Sequence, residues 1–339
     1  MKNSIIGIMS GSSCDGLDVA LFSFIDEDKY AMEAAKAYEL PGRLKEQLMD
    51  PLSLSVLEFI KLDADFSLFT AQCVNDLIEN QMIKPNLLVS HGHTIYHNPD
   101  HTISCQIING GILASLTGID TLSDLRIQDV ALGGQGAPLA SLIDHFLFDS
   151  YDISVNLGGI ANVSISQAGK TLSWDVCPCN QVLNYYSSLL GHTYDEDGKL
   201  ARTGSVDELC MKQWNEIPYF SRRSPKSLDN YWVREEFIGT IDKFLPPQDV
   251  LRTMCAFVSG QLVKDVNSHL PKGAKTMIIT GGGAHNAFLI ECIKQECLRH
   301  QIEVHIPDAG IIDFKESLLM AYMGQRYLEN KNNTLSTAT

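Results

Sequence analysis

The chain has 339 residues, 45% of them hydrophobic and 20% charged, and its 26 Lys and Arg against 41 Asp and Glu give a formal net charge of −15. That length suits about two domains of roughly 150 residues each, and the acidic balance disfavours an extended nucleic-acid track while favouring a small ligand whose phosphates are neutralised locally, with a divalent cation. No apolar stretch approaches the ~20 residues of a membrane helix, the N-terminal run lacks a signal peptide's cleavage pattern, and nine scattered cysteines without a disulfide framework make a reducing cytoplasm the simplest setting.

In chain order, residues 4–25 predict a hairpin: Ile5, Ile6, Ile8 and Met9 are apolar, Ser10, Gly11, Ser12, Ser13, Asp15 and Gly16 interrupt, and Leu17, Val19, Leu21 and Phe22 resume. Residues 31–40 add an edge strand. Helical spacing follows at Leu44, Leu48, Leu52, Leu57, Ile60 and Leu62, then at Phe66, Phe69, Val74, Leu77 and Ile78, in a segment that Lys84-Pro85 ends. Leu87 to Ser90 is a short buried strand delivering SHGHT. Gln106 to Ile108 is another strand, Gly111 to Thr117 a short helix closed by Gly118, and Ile119 to Leu125 a strand again. Gly133 to Pro138 reads as loop, with the lobe crossover just before it. The first lobe is therefore expected over 1–127 plus 313–339 and the second over 128–312.

The second lobe opens on another hairpin: Ile153, Val155 and Leu157, then Gly158-Gly159, then Ile160, Val163 and Ile165. Residues 180–191 and 248–269 predict helices, and 192–247, rich in Asp, Ser, Pro and aromatic residues, predicts loops and short helices around a ligand. Met277 to Ile279 is a strand that runs into Gly281, Gly282 and Gly283 ahead of a helix start. Residues 315–329 form a last amphipathic helix, and the polar tail after it frays.

Alternating strands and helices with two similar openings predict an α/β chain of two lobes around a cleft. Each glycine cluster follows an apolar strand, where small residues let backbone N–H groups approach an anion or a flat base. One such turn alone is an ordinary tight turn; three together point to a bound nucleotide. None matches GxxxxGK[ST] or GxGxxG, so neither a P-loop nor a dinucleotide site follows. His91, His93, His97 and His101 crowd together but share no regular face, and Cys177-Pro178-Cys179 lacks further ligands, so no protein metal site is expected. Arg126 sits between Asp124 and Asp129, where a surface ion pair worth ~0–1 kcal/mol is the plain alternative to a phosphoryl contact.

The segments GIMSGSSCDGLDVAL, SHGHTIYHNP, LRIQDVALGGQGAPL, VNLGGIANVS, SWDVCPCN, YDEDGKLARTGSV and TGGGAHNAFL resemble those of the anhydro-N-acetylmuramic acid kinases, of the sugar kinase, heat-shock chaperone and actin superfamily. The resemblance runs from about residue 4 to residue 329. It implies a two-lobed actin-like ATPase fold, a duplicated ribonuclease H-like arrangement with a central nucleotide cleft. It also implies an ATP-dependent enzyme of peptidoglycan recycling that opens the 1,6-anhydro ring with water and phosphorylates O6, giving N-acetylmuramic acid 6-phosphate and ADP. Because O6 carries no proton, the base must act on water, and the motif match gives that role to Asp175. Arg126 is implied at the phosphoryl group, and His91, His93, Gln135 and Glu316 at the sugar. ATP is expected against Gly11, Ser12, Ser13, Cys14, Asp15, Gly16, Leu17 and Asp18 in one lobe, Gly158, Gly159 and Asn162 in the other, and Gly281 to Gly283 on the adenosine side. Mg2+ would arrive on ATP, through water to Asp15 or Asp18.

Cys177 and Cys179 stand where the commoner form of the motif has glycines, so a kinase for an ordinary hydroxyl-bearing amino sugar stays open. So do a non-catalytic ATP-dependent sensor and a histidine-based metal hydrolase. Expected partners are the small amino sugar and a second copy of the chain, with neither nucleic acid nor membrane.

Overall fold

Near-continuous apolar runs, buried on both faces, build the first sheet. β1 (Asn3–Met9) runs antiparallel to β2 (Leu17–Asp26), with Ile6 opposite Leu21 and Ile8 opposite Val19, and all four are essentially solvent-free. β2 pairs antiparallel with β3 (Lys29–Tyr38), while β1 pairs parallel with β4 (Leu87–Ser90) and β4 with β7 (Thr121–Leu122). The computed structural model describes residues 3–11, 14, 16–26, 29–79, 81–82, 84–136, 148, 150–167, 170–270 and 275–333.

Helix α1 (Gly42–Met49) and the long α2 (Val56–Ile78) are separate, where the sequence spacing predicts one helical stretch from 44 to 62 and a second after it. Pro51 and the Ser55 cap explain the break. Ser55 accepts from the Glu58 N–H and Glu58 Oε2 accepts from the Ser55 N–H at 2.9 Å, a capping box that starts α2 afresh. Leu62, Phe66 and Val74 of α2 close over the sheet. After β4 come β5 (His93–Asn98) and β6 (Ile103–Ile107), an antiparallel pair of their own, then α3 (Gly110–Thr117) and α4 (Ile127–Ala131). The C-terminal helix Lys315–Leu328 lies on β1 so closely that a Cβ at Gly7 would strike the Ser317 carbonyl.

The second sheet repeats the plan. β8 (Ile153–Leu157), β9 (Ile160–Gln167) and β10 (Lys170–Pro178) are antiparallel neighbours, and β11 (Lys275–Thr280) and β12 (Ile302–His305) extend from β8 in parallel. The orders β3-β2-β1-β4-β7 and β10-β9-β8-β11-β12 are the same when each sheet is counted from its own first strand. Each sheet thus has the ribonuclease H-like strand order, and the second duplicates the first. Around the second sheet are α5 (Asn180–Ser188), α6 (Lys199–Thr203), α7 (Glu208–Glu216), α8 (Pro247–His269), α9 (Ala287–Arg299) and α10 (Ala309–Asp313).

The chain forms two compact units, Met1–Leu147 with Phe314–Thr339, and Phe148–Asp313. The division falls later than the expected 127/128 crossover because α4 packs on β6 and so stays with the first unit. Within 192–247, where a ligand surround is expected, Trp214, Phe220 and Phe237 pack on Phe257 of α8 at ring-centroid distances of 5.1 to 5.9 Å and belong to the second core. Among the described residues no helix is long and apolar enough to cross a membrane.

Candidate active site

In the second unit, Asp175 sits on β10 opposite Asn162, where the register shifts between Asp175 and Cys177. Such a bulge re-aims a side chain out of the pleat. Three polar atoms of Asp175 are held by one segment far along the chain. Its N–H donates to the Lys226 carbonyl at 3.0 Å, its carbonyl accepts from the Tyr219 hydroxyl at 2.7 Å, and its Oδ2 accepts from the Leu228 N–H at 2.9 Å. Oδ1 accepts no hydrogen bond among the described residues. Half-burial raises the carboxyl above the ordinary carboxylate range, and the Leu228 bond draws it partly back. A carboxylate with one oxygen fixed and the other open can take a proton from water.

Beside it, the carbonyls of Gly158 and Gly159 cap α5, accepting from Asn180 N–H at 3.1 Å and from Cys179 and Gln181 N–H at 2.9 and 3.1 Å. The N–H groups of the two glycines donate to no acceptor among the described residues, which leaves them for an anion. Gly282 and Gly283 likewise have open N–H groups, and they line a cavity of about 560 Å³ together with Asn180, Asn184, Tyr194, Glu196, His285 and Asn286. That volume suits a nucleoside-sized ligand. Gly281 must be glycine: its φ is +82°, and a Cβ there would lie 2.6 Å from Asn156 Oδ1.

The cavity wall from Tyr194 to Asp197 falls within 192–247, the stretch expected to surround a ligand. Its signal is Asp195, which is buried and accepts from the Leu200 and Ala201 N–H groups at 2.7 and 2.9 Å, fixing the loop to the start of α6. Tyr219, Lys226 and Leu228 had no local signal at all.

In the first unit, Ser12, Ser13 and Asp15 lie outside the described residues. Around them, Gly11 accepts from the Cys14 N–H at 3.1 Å, Cys14 adopts a left-handed φ of 54°, and Leu17 and Asp18 begin β2. His93 braces this turn. Its Nδ1 lies 3.0 Å from Ser10 Oγ and its Nε2 3.8 Å from Cys14 Sγ, and Ser10 Oγ donates on to the Gly16 carbonyl at 3.4 Å. His91 braces Arg126, whose Nε donates to His91 Nε2 at 2.9 Å while His91 Nδ1 donates to the Gly92 carbonyl at 3.0 Å. Both rings are only 2% exposed, so the sequence expectation of direct sugar contact meets histidines already engaged inside the fold. Burial first, then the Arg126 charge, pushes His91 down to about 4, and burial lowers His93. His91 is therefore neutral, the form that can accept from a guanidinium.

Arg126 makes no ion pair with Asp124 or Asp129 among the described residues. Asp129 is buried and instead accepts from the Gly136 N–H at 2.7 Å, folding the loop around Gly134, Gln135 and Gly136. Gln135 is exposed, as is Glu316 in the first turn of the C-terminal helix. Desolvation lowers Arg126, and the Glu316 charge pushes it back up, so the two act on each other. With Nε held by His91, the terminal nitrogens of Arg126 have no partner among the described residues and stay open to an anion.

Cys177 and Cys179, which stand where the commoner motif has glycines, are 0% exposed in the second core. Among the described residues no cluster of three His, Cys, Asp or Glu could hold a metal.

A model of the anhydro-N-acetylmuramic acid kinase family matches residues 3–339. An anhydro-N-acetylmuramic acid kinase of Sulfurovum sp. (strain NBC37-1) is 32% identical over 355 aligned residues, covering 100% of this chain and 96% of that protein. One of Vibrio vulnificus (strain YJ016) is 28% identical over 358, covering 100% and 95%. Among solved structures, component A of the (R)-2-hydroxyglutaryl-CoA dehydratase of Acidaminococcus fermentans aligns with 96% of this chain and 99% of its own at TM-score 0.48 and 12% identity.

Proposed function

Because the chain belongs to the anhydro-N-acetylmuramic acid kinase family, we propose that it opens 1,6-anhydro-N-acetylmuramic acid with water and phosphorylates O6 in peptidoglycan recycling. The observation that carries this reading is Asp175, whose carboxylate is fixed through Oδ2 and open at Oδ1. Bound ATP, with Mg2+, supplies the phosphoryl group that O6 acquires. The residues fit such a ligand: a glycine-walled cavity of nucleoside size, and open N–H groups at Gly158, Gly159, Gly282 and Gly283.

Asp175 takes one proton from water as the water oxygen bonds to C1 and the C1–O6 bond breaks. A carboxyl raised by half-burial is a better base than an ordinary one, because its affinity for the proton is closer to the operating pH. Arg126, oriented through its Nε by neutral His91, offers its terminal nitrogens to the charge on the phosphoryl oxygens. His91 and His93 act on substrate only through what they hold, Arg126 and the first turn. Glu316 and Gln135, both exposed, are assigned to the sugar.

Turnover in oxygen-18 water tests the reading. Label at C1 of the phosphorylated product is the expected result. ADP formed with unlabelled sugar phosphate would make the chain an ordinary hydroxyl kinase instead.

A further inference from the structure

Asp175 owes its setting to a strap, residues 219–228, that is itself pinned to α8 by an ion pair the fold has no obvious need for. Lys226 Nζ lies 2.8 Å from Asp265 Oδ2, with side chains 3% and 10% exposed, and 4.9 Å from the centre of the Tyr219 ring. No hydrogen bond from Nζ has good donor geometry, so charge attraction rather than a directed bond holds the pair. Asp265 Oδ2 also accepts from Trp174 Nε1 at 3.2 Å, and Trp174 immediately precedes Asp175. Lys226 then returns to the same place through its backbone, whose carbonyl accepts the Asp175 N–H. The pair thus grips β10 on one side and the strap on the other.

Burying two charges costs desolvation that apolar side chains of similar size would avoid. The return here is geometric: three bonds from Tyr219, Lys226 and Leu228 fix the main chain and one carboxylate oxygen of Asp175. We propose that the strap, fastened by the Lys226–Asp265 pair and the Tyr219 hydroxyl, is a positioning device for the Asp175 carboxylate, with Lys226 and Tyr219 as its positioning residues. This rests on Asp175 being the base.

The test compares full-length wild type with Lys226→Met/Asp265→Leu, a paired change that removes both charges without stranding either. Turnover of ATP and anhydro-N-acetylmuramic acid is followed against pH, and hydrogen exchange is followed at the amides of Asp175 and Leu228. Expected are a kcat lower by ~10- to 100-fold, as for a misplaced group, a KM for ATP within about twofold of wild type, and faster exchange at both amides. The acid limb of kcat should also move to higher pH, since Oδ2 loses the donor that favours its ionised form. Wild-type kcat, limb and exchange in a folded double variant would overturn the strap's role, as would a kcat loss with limb and exchange unmoved. If the double variant does not fold, Tyr219→Phe decides. A several-fold lower kcat with a shifted limb supports the strap, and wild-type kinetics overturn it. Asp175→Asn, measured alongside, separates the two levels. Turnover retained there removes the base and the functional reading with it, whereas turnover lost there but kept in the strap variants removes the strap alone.

Discussion

The two glycine hairpins occupy equivalent places in two sheets of identical strand order, yet each is braced by different means. The first turn is held by side chains: His93 reaches it from β5, linking Ser10 and Cys14, with Ser10 donating on to Gly16. The second is held by backbone, its carbonyls capping α5 and its N–H groups left open. The charged groups nearby divide the same way. Arg126 is restrained by one histidine ring, the Asp175 carboxylate by a main-chain N–H of a remote strap. Shared topology fixes where a turn lies; what surrounds it fixes which chemistry it can serve.

The comparison breaks most visibly at Asp175. Asp175→Asn keeps the Oδ2 acceptor for the Leu228 N–H but removes the base. A kcat about 10³-fold lower is expected, within the ~10²- to 10⁴-fold worth of a positioned base. ATP affinity, by calorimetry, should stay within about twofold, since the open glycine amides are untouched. Loss of ATP binding in step with turnover would instead make Asp175 a structural residue of the second hairpin.

How much of this was legible in the sequence follows from how far apart the partners lie. Ile6, Ile8, Val19 and Leu21 alternate within one hairpin, and so do Val155, Leu157 and Val163, which is why both sheets' openings and the three glycine clusters could be read directly. β6 shows in the sequence only at its end, as the strand expected over Gln106 to Ile108, and β5 is hidden because His93, Thr94, Tyr96, His97 and Asn98 offer no apolar alternation and their pairing depends on the opposite strand. The strap was invisible for a similar reason: Leu228 is 53 positions from Asp175, and no local pattern couples them. His91 and His93 are legible as sugar-contact candidates at a strand end, but their burial and their partners, Arg126 and Ser10, which make them internal braces, are not.

A middle-sized effect is expected where a side chain does the bracing. His91 titrates near 4 in the folded chain against an ordinary value of 6.5, so below that ordinary value the unfolded chain takes up a proton the folded one refuses. Stability is therefore undiminished above the ordinary value and falls as the pH drops toward the folded one, by on the order of 3 kcal/mol. His93, also lowered, adds to the same trend. The urea midpoint of wild type should fall on acidification across that window, and that of His91→Gln, which can still accept from Arg126, should fall less. Kinetically, His91→Gln should lose a few-fold in kcat and Arg126→Gln ~10²-fold, the scale of a lost electrostatic donor. Equal acid sensitivity of wild type and His91→Gln would mean that His91 carries no titrating strain.

The smallest expected effect separates the two turns themselves. A methyl group at Gly16 would lie 2.8 Å from the Tyr38 carbonyl, a backbone atom of β3 that cannot yield without disturbing the sheet. At Gly158 the nearest atom is Asn156 Nδ2 at 3.2 Å, a side-chain rather than a backbone atom, and the Ile160 carbonyl stands off at 3.4 Å. Gly16→Ala should therefore cost ~1–3 kcal/mol, the usual range for overpacking, while Gly158→Ala should be nearly neutral in urea denaturation. In kinetics the order reverses in kind: Gly158→Ala should raise the KM for ATP a few-fold with stability intact, because the added methyl sits beside amides kept open for the ligand. Equal stability losses in both variants would show that the second turn is packed as tightly as the first, and the contrast between side-chain and backbone bracing would not extend to the space above the glycines.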